Sequence, residues 1–167
     1  MESLSRAELQ RRIRFWLILF MVALCLSGLT AIPLDWGSKL LVELFGSGTL
    51  LATFWPAMSE WLETVRRGLV ETQKIAPFIF YGTDWLAFAH LVIAIAFVGP
   101  LRDPVKNIWV VEFGMIACVL LIPWGMFFAL WRGIPVFWLP IDFSFGIFGF
   151  LPLWLTRRYI LELGKLE

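Results

Sequence analysis

Four ionisable side chains lie within otherwise apolar stretches, and these are the residues best suited to do chemistry: Asp84, His90, Glu112 and Asp142. A charge inside a lipid bilayer is costly, so such groups usually face protein or water and mark functional sites. Burial raises the pKa of a carboxylate and lowers that of a histidine, and groups with pKa values near the working pH suit general acid–base catalysis. We therefore take these four residues as the candidate catalytic groups.

Two other interpretations of the same residues stay open. One histidine and several carboxylates are metal-ligand types, but the chain has no HxxxH, HExxH or cysteine cluster. We therefore predict no metal and no cofactor. As structural groups, Asp84 or Asp142 would pair with Arg132 near the outer surface, and His90 would hydrogen-bond to a neighbouring helix.

The ionisable residues also define a candidate ligand-binding site. They would line an intramembrane pocket that binds a lipid or another apolar small molecule and whose acid–base groups could process it. The residues of this pocket would be Asp84, Trp85, His90, Glu112, Arg132 and Asp142. Arg102 lies between two prolines, and a guanidinium there suits a lipid phosphate, because it can make bidentate contacts. A rigid turn that caps the next helix is the alternative for Arg102.

The composition indicates which kind of secondary structure carries these ionisable groups. The chain is 60% hydrophobic, 17% aromatic and 16% charged, whereas soluble domains are about 45–50% apolar and about 25% charged. The net charge is +1 and the cations are scattered, so no nucleic-acid partner is expected. Cys25 and Cys118 fall in apolar runs, where a free cysteine behaves as a small hydrophobe.

Apolar runs long enough to cross a bilayer of roughly 30 Å predict four transmembrane helices. The expected fold is an all-α polytopic membrane protein, a single membrane domain over residues 1–167. The predicted spans are 15–34, 77–98, 107–129 and 135–156, and Pro123 should kink the third. We interpret the first as a retained span, because its 20 uncharged residues exceed the apolar core of a signal peptide.

The segment 35–76 is predicted to lie at the outer interface. Residues 38–56 either re-enter the membrane or lie on it. Residues 57–74 alternate apolar and charged faces at helical spacing. Glu63 and Arg67, four residues apart, are expected to pair along the surface.

Lysine and arginine asymmetry predicts the orientation. Cations in short loops near the ends of spans favour the cytoplasmic side. The arginines of residues 6–14, Arg102, and Arg157 with Arg158 would then all lie inside. We expect a multi-pass protein of a bacterial inner (plasma) membrane with both termini in the cytoplasm.

The strings YGTDWLAFAH at 81–90 and GPLRDPVKN at 99–107 resemble those of uncharacterised small bacterial integral membrane proteins. That resemblance implies no activity. In outline, with IPLDW at 32–36 after the first span, the chain is also similar to the emopamil-binding and sigma-2 receptor superfamily. This architectural similarity implies an intramembrane pocket for sterols and cationic amphiphiles, and it carries no site residue across.

The expected partners are a membrane lipid, an apolar small molecule, and a second copy of the chain or another membrane subunit. Three functions are compatible with the pattern. The first is a protein with an intramembrane lipid or ligand pocket. The second is a structural or assembly subunit of a larger membrane complex that packs through the small residues of 144–149, and the third is a small oligomeric transporter.

Overall fold

A computed structural model describes residues 4–166, and within that range the chain forms helices and turns without a β-strand. The α-helices, in chain order, are α1 Arg6–Leu29, α2 Leu34–Phe45, α3 Leu50–Phe54, α4 Pro56–Ile75, α5 Tyr81–Ala96, α6 Val98–Arg102, α7 Ile108–Arg132 and α8 Leu139–Leu163. Short 3-10 turns, Pro77–Phe80 and Val136–Trp138, precede α5 and α8. The predicted all-α class is confirmed.

Four helical stretches among the described residues are long and apolar enough to cross a membrane: Arg6–Leu29, Pro77–Arg102, Ile108–Arg132 and Val136–Leu163. The mean hydropathy of these stretches is 1.6–2.2, and at most 22% of the most apolar part of each is buried inside the protein. Large side chains such as Trp124 and Phe148 are 69% and 74% exposed. Apolar surface in water costs about 25 cal/mol per Å², so these faces require a hydrocarbon environment. The chain is a multi-pass membrane protein with four spans, as predicted.

The first helix begins well before the apolar run that predicted the first span. Ser5 and Glu8 form a reciprocal cap: the Ser5 backbone N–H donates to Glu8 Oε2 at 2.8 Å, and the Glu8 N–H donates to Ser5 Oγ at 3.3 Å. Such a capping box satisfies backbone donors that the first turn leaves open. Helix α1 therefore starts at Arg6 and carries the basic residues of 6–14 on helical backbone.

The described residues divide into two compact units. Unit 1 comprises the described parts of Met1–Leu24 and Val92–Glu167, and unit 2 comprises Cys25–Leu91. The two units are described separately below.

Unit 1 is built on an apolar core to which α1, α7, α8 and Phe97, the residue before α6, contribute. Leu9, Ile13 and Leu17 follow one another at intervals of four on α1, which places them on one helical face. The fully or nearly fully buried members of the core are Leu9, Ile13, Leu17, Phe20, Phe97, Val110, Val111, Leu153, Ile160 and Leu163. The ring centroids of Phe20 and Phe97 lie 4.8 Å apart, which is a favourable distance for an aromatic pair.

Helices α7 and α8 of unit 1 approach each other through glycines. A Cβ atom added at Gly146 would lie 2.8 Å from the Cys118 carbonyl oxygen, and one added at Gly149 would lie 3.0 Å from Cys118 Sγ. Close helix contact in membranes depends on such residues. Gly146 and Gly149 therefore pack within the chain.

Unit 2 contains the amphipathic helices α2 and α4, which pack on each other. Met58 and Leu62 are buried on α4, one turn apart, while charged residues occupy its other face. Arg66 of α4 donates to the Asp35 carbonyl oxygen at 3.1 Å and to Ser38 Oγ at 3.2 Å on α2. The predicted amphipathic character of this segment is confirmed.

Candidate functional site

His90 lies where α5 approaches the end of α1 in unit 2. A Cβ atom at Gly28 would lie 2.5 Å from His90 Cβ, so only glycine permits this approach. His90 Nδ1 is 2.8 Å from the Leu86 carbonyl oxygen of the same helix. A carbonyl can only accept, so Nδ1 donates to it, and Nε2 is the ring nitrogen left for another partner. The ring is thus held by its own helix.

Asp84 and Trp85 lie exposed at the beginning of α5 in the same unit. Asp84 is in the first turn, where the partial positive charge of a helix N-terminus favours a carboxylate. The Trp85 ring is in edge contact with Tyr81 and Phe88, at centroid distances of 5.9 and 5.6 Å. Asp84 and Trp85 are therefore placed on one exposed, aromatic end of α5.

Glu112 forms an ion pair in unit 1 that joins α7 to α8. Arg157 Nε donates to Glu112 Oε1 at 2.8 Å, and the two side chains are 39% and 41% exposed. The pair holds the first turns of α7 against the end of α8. The sequence interpretation treated Arg157 only as the end of a span. An antiparallel helix pair brings the start of one span to the end of the next, and this rule would have identified the partner.

Asp142 and Arg132, also in unit 1, both lie at helix ends. Asp142 is in the first turn of α8 and accepts a hydrogen bond from the Trp138 side chain. Arg132 is the last residue of α7 and is exposed. Each charge has the sign that the neighbouring helix terminus favours. The pairing of Asp84 with Arg132 stays a prediction, since the two residues belong to different units.

Arg102 ends α6, beside a small cavity in unit 1. The cavity is about 30 Å³ and is lined by Gln10, Ile13 and Arg14 of α1 and by Pro100, Leu101, Arg102 and Pro104 of the following turn. Among residues 4–166, neither Arg14 nor Arg102 forms an ion pair. The sequence interpretation missed Arg14, because its proximity to Arg102 depends on how α1 packs.

The turn after Arg102 is closed by its own hydrogen bonds. Asp103 pairs with Lys106, with Oδ2 and Nζ 3.2 Å apart, and accepts from the Lys106 backbone N–H. These hydrogen bonds lower the pKa of Asp103 below its ordinary value of 3.8. The Asn107 side chain donates to the Asp103 and Gly99 carbonyls at 2.9 and 3.3 Å. The turn is closed as predicted, but no side chain caps α7 at its N-cap residue, Asn107. The acid of the turn is engaged by Lys106, and Arg102 forms no ion pair among residues 4–166.

Two polar features of the segment between the first two spans were also missed. Glu63 accepts from the Ser47 backbone N–H at 2.8 Å, although the sequence predicted a pair with Arg67. Hydrogen bonds from Ser47 lower the pKa of Glu63 below its ordinary value of 4.5. Ser59 is buried, and its hydroxyl has no hydrogen-bond partner. Neither the Glu63–Ser47 contact nor the burial of Ser59 without a partner could be predicted from the spacing of residues along one helix.

No family model, no curated protein and no solved structure matches the chain. Within residues 4–166, no group of three or more His, Cys, Asp or Glu side chains is arranged to hold a metal ion. Its own helices define the chain as a polytopic α-helical membrane protein.

Proposed function

We propose that this protein binds a membrane lipid and holds the phosphate of that lipid between Arg14 and Arg102. The observation that carries the proposal is that two arginines, Arg14 of α1 and Arg102 at the end of α6, line one cavity. Both residues line the cavity and neither forms an ion pair among residues 4–166, so an anion bound there would meet positive charge without a competing carboxylate. Guanidinium groups match phosphate oxygens in geometry and in charge.

The size and the lining of the cavity fit one end of a phospholipid. A volume of about 30 Å³ is close to the share of one water molecule in the liquid, so it admits one phosphate oxygen, with the rest of the group at the mouth. Ile13, Pro100 and Leu101 supply an apolar wall. A phosphate at this wall would have its acyl chains beside the apolar faces of the helices.

The residues predicted to form an intramembrane pocket belong to the same proposal. His90 Nε2 is left to form a hydrogen bond with a polar group of the ligand. Asp84 and Asp142 are held in first helical turns, where their charge is tolerated, and Glu112 is neutralised by Arg157. Within unit 2 we propose Asp84, Trp85 and His90 as contacts for an apolar ligand, and within unit 1 we propose Glu112, Arg132 and Asp142. Any chemistry on the ligand would use these groups.

The location of the protein is part of the proposal. The basic residues of α1, Arg102 and the pair Arg157 and Arg158 favour a cytoplasmic side for both termini. The Arg14–Arg102 cavity would then face the cytoplasmic leaflet of a bacterial inner membrane. Anionic lipids of that leaflet attract basic residues near the surface by about 1 kcal/mol each.

A lipid-binding protein and a subunit of a complex differ in what they retain on purification. The protein is purified in mild detergent and its native mass spectrum is recorded. A monomer or homodimer with a bound phospholipid is expected. A protein without lipid, bound in fixed ratio to another polypeptide, would contradict the proposal.

That second outcome corresponds to the subunit function, which one observation favours. An aromatic cluster on α7 is largely exposed, and its rings contact one another: Trp124, Phe127, Phe128 and Trp131. Exposed aromatic residues are enriched at protein interfaces. They are also enriched at membrane surfaces, and Gly146 and Gly149 are already used inside the chain. Lipid binding is therefore the function that we favour.

A further inference from the structure

A second cavity lies in unit 2, beside the turn that leads from α2 into α3 and α4. Its volume is about 400 Å³, within the range of roughly 300–1,000 Å³ that is typical of small-molecule sites. The polar residues that line it are Ser47, Thr49, Thr53, Ser59 and Glu60. This cavity shares no residue with the Arg14–Arg102 site.

The Ser59 hydroxyl is the feature of this cavity that indicates a ligand. Ser59 is only 4% exposed, and its Oγ has no hydrogen-bond partner. Buried hydroxyl groups almost always have a partner, because leaving one unsatisfied is unfavourable. Ser59 lines the cavity, so a polar group bound there can supply the missing hydrogen bond.

The lining chemistry restricts the ligand. Thr49 Oγ1 already accepts from the Ala52 N–H, and its own proton is still available to donate. Serine and threonine hydroxyls both donate and accept, whereas a carboxylate such as Glu60 only accepts. No lysine or arginine lines the cavity, so an anion would meet the Glu60 charge without compensation.

The arrangement of the polar groups distinguishes a polyol from a cation. Four hydroxyls and one carboxylate line an open groove of about 400 Å³, and the Ser47 side chain is already hydrogen-bonded to Glu63. A single ammonium has three donors and no acceptor, so it leaves hydroxyl protons unpaired. Ca²⁺ and Mg²⁺ take six or more oxygen ligands, usually including more than one carboxylate, and Zn²⁺ prefers His and Cys ligands, which the groove lacks. A group with several hydroxyls on a ring can donate to Glu60 and form hydrogen bonds with Ser59, Thr49 and Thr53.

We propose that this cavity binds a polyhydroxyl group of about the size of a hexose, with Glu60 and Ser59 as its main hydrogen-bond partners. Leu50, on the wall of the cavity, is 83% exposed, and Phe54 is 86% exposed. An apolar chain attached to the sugar could lie against them. The group can therefore belong to a glycolipid or to a free sugar, and the chemistry of recognition is the same.

The test uses the full-length protein in phosphatidylcholine nanodiscs. Octyl glycosides of glucose, galactose and mannose are titrated in turn, and the amide shifts of Gly48, Thr49 and Ser59 report binding. The free sugars are titrated separately, and octyl tetraethylene glycol is the probe with the same chain and no ring hydroxyls. At least one sugar is expected to bind at least fivefold more tightly than the glycol probe. If only the octyl glycoside binds, the natural ligand is a glycolipid. If the free sugar binds equally well, the natural ligand is a soluble sugar.

Three variants locate the binding. Glu60→Gln and Ser59→Ala should each weaken binding at least fivefold, and Glu71→Gln, on an exposed part of the same helix, should leave it unchanged. Ser59→Ala removes an unsatisfied hydroxyl, so it should fold at least as well as the wild type. The proposal is overturned if no sugar binds better than the glycol probe, or if binding is insensitive to both cavity variants.

Discussion

Charged side chains in this protein lie where helix ends or partners stabilise them. Asp84 and Asp142 occupy first turns, and Arg132 occupies a last turn. A charge of the favourable sign at a helix terminus contributes about 0.3–1 kcal/mol. Glu112, which has no such position, is paired with Arg157. Each of these four charges thus has a neighbouring helix end or an ion-pair partner that reduces the unfavourable free energy of placing it near hydrocarbon.

The Glu112–Arg157 pair is tested by a double-mutant cycle. Glu112→Gln and Arg157→Gln should each lower the free energy of unfolding by about 1 kcal/mol, because pairs about 40% exposed are partly screened by solvent. The double variant should lose less than the sum of the two. Reversible unfolding in mixed micelles is the measurement. Glu162→Gln, on an exposed part of α8, is the control, and strictly additive losses would show that the pair is not formed.

Glu63 predicts a pH dependence of stability. Its pKa lies below 4.5 in the folded protein, because Ser47 donates hydrogen bonds to the carboxylate. The stabilisation is therefore complete above the unfolded-state pKa and is lost as the pH falls through the lower folded-state pKa. Wild type should melt at a higher temperature than Glu63→Gln at pH 7, and the difference should disappear toward pH 3. A difference that is constant over this range, or equal to that of Glu71→Gln, would be inconsistent with the Ser47 contact.

At the scale of the helices, glycine determines how closely neighbouring elements approach. Gly28→Ala would place Cβ 2.5 Å from His90 Cβ, whereas Gly82 has nothing within 4 Å. Gly28→Ala should therefore destabilise the protein by about 1–3 kcal/mol through overpacking. Gly82→Ala should be neutral or stabilise α5 by up to about 1 kcal/mol. Unfolding curves in detergent that are the same for both variants would rule out the contact between α1 and α5.

The spans could be predicted from the sequence, and the contacts between them largely could not. Long apolar runs are sufficient to identify four helices. The early start of α1 was also readable, since Ser5 and Glu8 have the spacing of a capping box. The approach of Arg14 to Arg102 was not, because it depends on the packing of Leu9, Ile13 and Leu17 in the core. The missing partner of Ser59 likewise depends on side-chain positions that no periodicity specifies.

At the scale of the whole molecule, orientation is tested by labelling intact cells. Single cysteines are introduced by Arg67→Cys and Lys106→Cys in a chain with Cys25 and Cys118 replaced by alanine. A membrane-impermeant maleimide should label position 67 and not position 106, because positive loops stay inside. Permeabilised cells provide the control for reactivity at both positions. Labelling of position 106 alone in intact cells would invert the proposed topology.

Lipid binding at the Arg14–Arg102 cavity is tested most directly by titrating delipidated protein with phosphatidylglycerol and following the bound lipid by native mass spectrometry. Wild type should bind one lipid tightly, and Arg14→Gln and Arg102→Gln should each weaken that binding at least tenfold, since each removes a charge-assisted phosphate contact. Arg11→Gln, which lies outside the cavity lining, should bind as wild type does. If both cavity variants bind the lipid as wild type does, or if Arg11→Gln weakens binding equally, this cavity does not hold the phosphate.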